Sequence, residues 1–301
     1  MRVAELGGDG VRRALSGCGL SLVTGGLTTR IRTRISGVAE SLEQLYAAFP
    51  VAPDDGFADF HCTLRAPRTL RRWYRPQVLF LADGRSVFKP LAFHQAFPML
   101  EWGMNWCIGT QLRHQLVLHA ASLERNGRAL IMPAPPMSGK STLTAALANS
   151  GWRLLTDEST LVDLAGGRVS GPARPVSLKN ASIDVIRSFA PAAHLSEPCH
   201  DTLKGTVAHM RPPDDSVHRA GEPAQPAWVV FPRFEPGAST RLVRKPAGEA
   251  FLQVAANAFN YPALGRIGFH ALADLMEQVE TYEFVYSRLE EAIEVFHGLR
   301  S

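Results

Sequence analysis

Ala134-Pro135-Pro136-Met137-Ser138-Gly139-Lys140-Ser141-Thr142 is the stretch on which the reading of this chain turns. It follows an apolar run, Ala129 to Met132, and opens a segment with helical character from Ser141 to about Asn149. Set against the phosphate-loop pattern G-x-x-x-x-G-K-[ST], it departs at the first glycine, where Ala134 stands. The chemistry of such a loop is specific. Backbone N–H groups at a helix N-terminus turn toward phosphate oxygens, and the helix dipole favours their negative charge. Gly139 allows close backbone approach, Lys140 brings a positive charge to the β- and γ-phosphates, and the Ser141 hydroxyl is placed to ligate Mg²⁺. Pro135 and Pro136 carry no N–H, so the cradle falls to Met137, Ser138, Gly139, Lys140, Ser141 and Thr142. The competing reading is an ordinary strand–turn–helix with a chance G-K-S. The strand before and the helix after favour a loop that binds ATP with Mg²⁺.

Working outward, Trp152 to Thr156 reads as a strand that ends on Asp157-Glu158. A strand end beside the loop brings two carboxylates to the metal and the γ-phosphate. One can hold Mg²⁺, directly or through water, and the other can take a proton from an attacking hydroxyl. Spacing does not say which does which. A solvated acidic turn is the alternative. His119 ends a short strand, Leu116 to His119, just before the loop's own strand. It is either a packed strand-end residue or a third functional group. All three strands are expected in one sheet, with His119 and Asp157 opening toward the loop.

The rest of the chain frames this centre. Residues 1–95 read as an α+β unit. Leu20 to Val23 is a strand, Gly25-Gly26 a turn, and Leu27 to Ile35 a second strand with Arg30, Arg32 and Arg34 on its outer face. Val38, Leu42, Leu45, Tyr46 and Phe49 recur at helical spacing up to Pro50, and Val78 to Val87-Phe88 forms a hairpin about Asp83-Gly84. Residues 96–301 read as the nucleotide-binding domain. They begin with a helix from Ala96 to Leu112, with Met99, Trp102, Trp106 and Leu112 inward. Residues 191–226, rich in proline, read as a long loop. Trp228 to Phe231 is a buried strand, and helices are expected at Leu272 to Val279 and Leu289 to Leu299.

Composition narrows the function classes. The net charge is +4, and the 32 Lys and Arg are spread along the chain rather than gathered in a stripe, which speaks against nucleic acid. The four cysteines, Cys18, Cys62, Cys107 and Cys199, form no C-x-x-C pair. The N-terminal residues lack the order of a signal peptide, and no apolar run reaches transmembrane length. A cytoplasmic protein with reduced thiols, not bound to a membrane, is expected.

Taken together, His119, the G-K-S loop and Gly151-Trp152-Arg153-Leu154-Leu155-Thr156-Asp157-Glu158 resemble the catalytic domain of HPr kinase/phosphorylase. That domain has a histidine, a phosphate loop and a G-x-R-L-x-x-D-D segment in the same order. The likeness is closest to its type-A HPr-kinase-related branch, found in bacterial peptide-modification gene sets. It extends to Glu101-Trp102-Gly103-Met104-Asn105-Trp106-Cys107, Arg174-Pro175-Val176-Ser177-Leu178-Lys179-Asn180, Lys204-Gly205-Thr206, Phe231-Pro232-Arg233 and Phe259-Asn260-Tyr261. The resemblance to the branch covers most of the chain; that to HPr kinase proper covers about the second half.

The resemblance implies an α/β, PEP-carboxykinase-like fold and ATP·Mg²⁺ chemistry. Asp157 matches the family's acid/base aspartate, Glu158 replaces its second aspartate, and His119 joins the site. A serine hydroxyl of a peptide or small protein becomes the leading acceptor, with a peptide chaperone and a homo-oligomer as possible partners. Arg233, Lys204 and Arg211 become candidates to meet phosphate oxygens. Arg65, Arg68, Arg71, Arg72 and Arg75, with Trp73 and Tyr74 among them, are either a docking edge for an acidic peptide or a solvated surface. Two other readings stand beside the peptide kinase: a small-molecule kinase resembling shikimate kinase, and a non-catalytic nucleotide-binding module of a peptide-modification complex.

Overall fold

A computed structural model describes residues 1–165 and 167–299; the side chain of Arg72 lies outside the described residues. The chain is mixed α/β. It opens with α1 (Val3–Ser16), β1 (Leu20–Thr24), β2 (Leu27–Thr33), α2 (Ser36–Leu45), β3 (Phe60–Arg65), β4 (Gln77–Ala82), β5 (Arg85–Ser86) and β6 (Leu91–Ala92). These strands form one sheet in the order β1-β2-β3-β4-β5, with β6 on β4. The turn between β1 and β2 uses Gly25 and Gly26 at φ 57° and 87°, the left-handed pair that a tight hairpin requires. Along β2 the side chains alternate, with Leu27, Ile31 and Thr33 buried and Arg32 exposed. The sequence reading has no counterpart to α1. Its glycines argue against a helix, and the chain kinks at Gly7 (φ 62°).

The long helix α3 (Ala96–Gln111) packs on β3, β4 and α2. One apolar core therefore runs from Val3 through Phe80 and Met99 to Leu112, across residue 95. Met99 and Leu112 are buried as expected, whereas Trp102 and Trp106 are only half-buried.

After α3 come β7 (Gln115–Leu118), β8 (Ala120–Arg125), β9 (Arg128–Pro133), α4 (Lys140–Ala148), β10 (Arg153–Thr156), β11 (Thr160–Asp163), β12 (Val169–Ser170), β13 (Val176–Lys179) and α5 (Ala181–Phe189). They are followed by β14 (Cys199–Thr202), β15 (Gly205–Met210), α6 (Asp214–His218), β16 (Gln225–Phe234), β17 (Arg241–Arg244), α7 (Ala247–Ala256), α8 (Tyr261–Glu277), β18 (Glu280–Tyr286) and α9 (Leu289–His297). The central sheet has the order β10-β8-β9-β16-β18-β17. Its middle, β9-β16-β18, is parallel, and antiparallel strands flank it. One face is covered by α4, α5 and α9, whose Leu143, Ile183 and Phe296 pack with Val230 and Phe284. The other is covered by α7 and α8, whose Val254 and Leu272 pack with Ile131 and Val229. Among the described residues no helix is long and apolar enough to cross a membrane.

Two expectations need correction. The three strands expected in one sheet do not all share it: β9 and β10 do, and β7 does not. β7 pairs with β11 in a separate three-stranded sheet, and β8 lies between β9 and β10. The chain makes a hairpin about Asn126-Gly127, and Ala120–Arg125 is its unrecognised first arm. Residues 191–226 are not one long loop. They hold β14, β15 and α6, and β13-β15-β14 make a small sheet that reaches over the site.

Candidate active site

The loop between β9 and α4 is shaped by two left-handed residues. Gly139 (φ 84°) caps α4, and Met137 (φ 69°) turns the tip with its side chain fully exposed. Gly139 is required there: a Cβ would stand 2.4 Å from the Tyr286 hydroxyl and 2.8 Å from Phe234 Cβ. Ala134 sits on the negative side of φ, so the departure from glycine at that position carries no strain. The loop is braced from the central sheet. Phe234 N donates to Ser138 O at 2.9 Å, and the Tyr286 hydroxyl donates to Gly139 O at 2.9 Å. Neither brace was read from the sequence. The N–H groups of the first turn of α4, including Ser141 and Thr142, have no acceptor within the helix.

Lys140 is buried, and its Nζ donates to the Asp157 carbonyl at 2.8 Å. The loop and the end of β10 are thereby tied together. Desolvation lowers the Lys140 pKa, with Asp157 and Glu158 opposing. Asp157 is 4% exposed. Its Oδ2 accepts from Ser177 N at 3.3 Å, and its Oδ1 is buried without a partner. Burial raises its pKa above the ordinary aspartate value against the Lys140 charge. Glu158 is displaced the other way. Desolvation works to raise it, and the Lys204, Lys140 and Lys179 ammoniums outweigh that, so the carboxyl is held below its usual range. Asn105 Nδ2 donates to Glu158 Oε2 at 2.5 Å.

His119 lies at the corner between β7 and β8, its backbone N donating to Asn257 O at 2.7 Å and its ring 5.1 Å from that of Phe259. Burial first, and then the Lys140 charge, lower its pKa to about 4, so it is a neutral imidazole at pH 7. The charges of Lys140 and Glu158 act on it, which puts it within the same electrostatic cluster.

The other sequence candidates divide. Lys204, in the turn between β14 and β15, stands 5.1 Å over the Trp102 ring and acts on Glu158. Arg233 has the strand parity of Val229 and Phe231, on the face opposite α4, and pairs with Glu235 at 2.9 Å. Arg211 pairs with Asp214 at 2.7 Å. Trp73 and Tyr74 are exposed beside Arg71 and Arg75, on a segment remote in sequence from the loop. The site also contains Lys179, Asn105, Arg174, Ser177 and His209, to which the sequence reading gave no role. Arg174 and Asn105 are hydrogen-bonded to each other, and Arg174 also pairs with the buried Glu101 at 3.7 Å.

No group of three or more His, Cys, Asp or Glu side chains among the described residues converges on a metal position. Mg²⁺ bound together with phosphates needs only one or two carboxylates and keeps several waters. Ser141 beside Asp157 and Glu158 meets that requirement, and the buried Ser138 Oγ, which lacks a partner, is a further polar atom of the loop. Neither the protein-family models nor the curated proteins compared with this chain match it.

Proposed function

We propose that the chain is an ATP·Mg²⁺-dependent kinase of PEP-carboxykinase-like fold, related to the HPr-kinase-related branch. Its acceptor is a hydroxyl, that of a serine in a peptide or small protein. One observation carries this reading. The Lys140 ammonium, buried at the head of α4, donates to the Asp157 carbonyl at 2.8 Å, and the Asp157 carboxyl is buried beside it with Oδ1 unpartnered; burial moves Asp157 upward while the nearby ammoniums move Glu158 downward. Titratable neighbours pushed apart in this way divide acid/base work from charge stabilisation.

Asp157 Oδ1 is the proton acceptor. It is buried, unpartnered and raised toward the range in which a carboxylate is an effective base. As the acceptor oxygen bonds to the γ-phosphorus and the bond to the β-phosphate oxygen breaks, the hydroxyl proton passes to Oδ1. Glu158 stays ionised, held by Asn105 and three ammoniums. Lys140 would supply positive charge to the β- and γ-phosphates, and the first-turn N–H groups of α4 would orient them. Ser141, with Asp157 or Glu158, would hold Mg²⁺, which neutralises charge on the phosphates when bound. The neutral His119 offers a hydrogen bond rather than a charge.

The test is direct. The protein is incubated with γ-radiolabelled ATP, Mg²⁺ and a library of serine- and threonine-containing peptides. Label on a peptide hydroxyl is the expected result. Label released only as inorganic phosphate, at a rate indifferent to any hydroxyl acceptor, contradicts the proposal.

A further inference from the structure

Asp157 also faces a narrow recess between α3 and the small sheet of β13, β14 and β15, lined by Trp102, Arg174, Ser177 and His209 among others. The recess is made of polar groups left without partners. Trp102 Nε1, Arg174 Nε, Ser177 Oγ, His209 Nε2 and Asp157 Oδ1 are all buried and unbonded. The side chains are not at the surface: Asp157, Arg174, Ser177 and His209 are 4%, 6%, 8% and 1% exposed. Buried polar atoms almost always find a partner, so this concentration beside a reactive carboxyl calls for a ligand.

The chemistry of the atoms says which kind. Asp157 Oδ1 only accepts. Trp102 Nε1 and Arg174 Nε only donate, and the Ser177 hydroxyl is free to donate. The complement is a hydroxyl for Asp157 and, close by, a group rich in acceptors for the rest. Positive charge surrounds the place. Arg174 is in it, Lys204 stands over the Trp102 ring, and Lys179 ends β13. Of the facing carboxyls, Glu101 is already engaged by Arg174 and by the Tyr46 hydroxyl at 2.6 Å, and Glu158 by Asn105.

We infer that the recess seats a carboxylate carried on the acceptor next to the hydroxyl that is phosphorylated. This rests on the kinase reading and narrows it: the acceptor is a hydroxy acid in the chemical sense, whether free or as part of a peptide. The planar carboxylate suits the Arg174 edge and the Trp102 N–H, and it is compact enough for a narrow recess.

The probes are glycolate and ethylene glycol, two small alcohols that differ by a carboxylate. Each is titrated by ligand-observed NMR into the wild-type protein, into Ser177→Ala and into Trp102→Phe, with thermal melting to check folding. Glycolate should bind at least about tenfold tighter than ethylene glycol, and each variant should weaken glycolate by roughly threefold to tenfold. If glycolate binds no better than ethylene glycol, or both folded variants bind it as the wild type does, the recess holds only water and the inference is wrong. A parallel ATP·Mg²⁺ titration separates the two claims. ATP binding without a glycolate preference leaves the kinase reading standing alone. A glycolate preference without ATP binding keeps the carboxylate site and removes the kinase.

Discussion

Asp157 has two sides, and they are built differently. Toward α4 lies a single run of chain, Ala134 to Thr142, in which each functional atom is a neighbour in sequence of the next. Toward α3 lies the recess, whose walls come from residues 102, 157, 174, 177 and 209, brought together only by folding. The first side is a contiguous run and can be read as a motif. The second has no local pattern, because its walls are closed by several elements. The difference teaches that, on the proposed reading, the phosphate donor would be held by a local run of the chain and the acceptor by groups that only folding brings together.

The largest expected effect falls on the group shared by both sides. Asp157→Asn keeps the shape and removes the proposed base. Phosphoryl transfer should fall by roughly two to four orders of magnitude while ATP binding survives. A loss of Mg²⁺-dependent binding as well would move Asp157 to the metal. If Glu158→Gln gave the greater rate loss with binding intact, the roles of the pair would be exchanged.

The same substitution has a stability signature. Burial raises the folded-state pKa of Asp157. Such a group favours the fold where it is protonated, below its unfolded value, and that contribution is lost as pH rises through the folded pKa. Asp157→Asn should therefore melt higher than the wild type at neutral pH, and the gap should close as pH falls below the ordinary aspartate range. A gap that widens toward acid would mean that the Lys140 charge outweighs burial and holds the carboxylate ionised in the fold. The pH–rate profile should share this origin, its acid limb lying above the ordinary aspartate pKa.

On the donor side, Gly139→Ala should destabilise the protein by about 1–3 kcal/mol, because it puts a side chain at positive φ and against Tyr286 and Phe234. Chemical denaturation measures this directly, and an unchanged midpoint would show that the loop does not hold this conformation. The smallest effect belongs to Arg233→Ala. Its exposed pair with Glu235 is worth about 0–1 kcal/mol, and its side chain has the parity of the face opposite α4. ATP affinity should change by less than about twofold, and a larger loss would bring Arg233 back to the phosphates.

How far the sequence carried this reading follows from the same contrast. The strand before the loop, α4, the end of β10 and the Asp157-Glu158 pair were legible because strand, turn and helix signals fell next to each other. The hairpin partner β8 was missed although Asn126-Gly127 announced it, since Ala120-Ala121-Ser122 lacks the bulk of a typical strand. β14 and β15 were hidden by the prolines around them, which lie outside the paired residues. The recess was invisible for a different reason. Asn105, Arg174, Ser177 and His209 are ordinary polar residues in their own segments, and only the docking of α3 over the ends of β10 and β13 leaves their atoms facing one another.

Calorimetric titration of ATP·Mg²⁺ into the wild type and Lys140→Ala tests the phosphate loop most directly. Lys140 is the cation of the loop, buried and already directed at the carboxyl-bearing strand end. Saturable binding by the wild type and a loss of at least about tenfold in the folded variant are the predicted results. Equal titration curves for the two proteins, or no binding by either, would contradict a nucleotide-binding role for this loop.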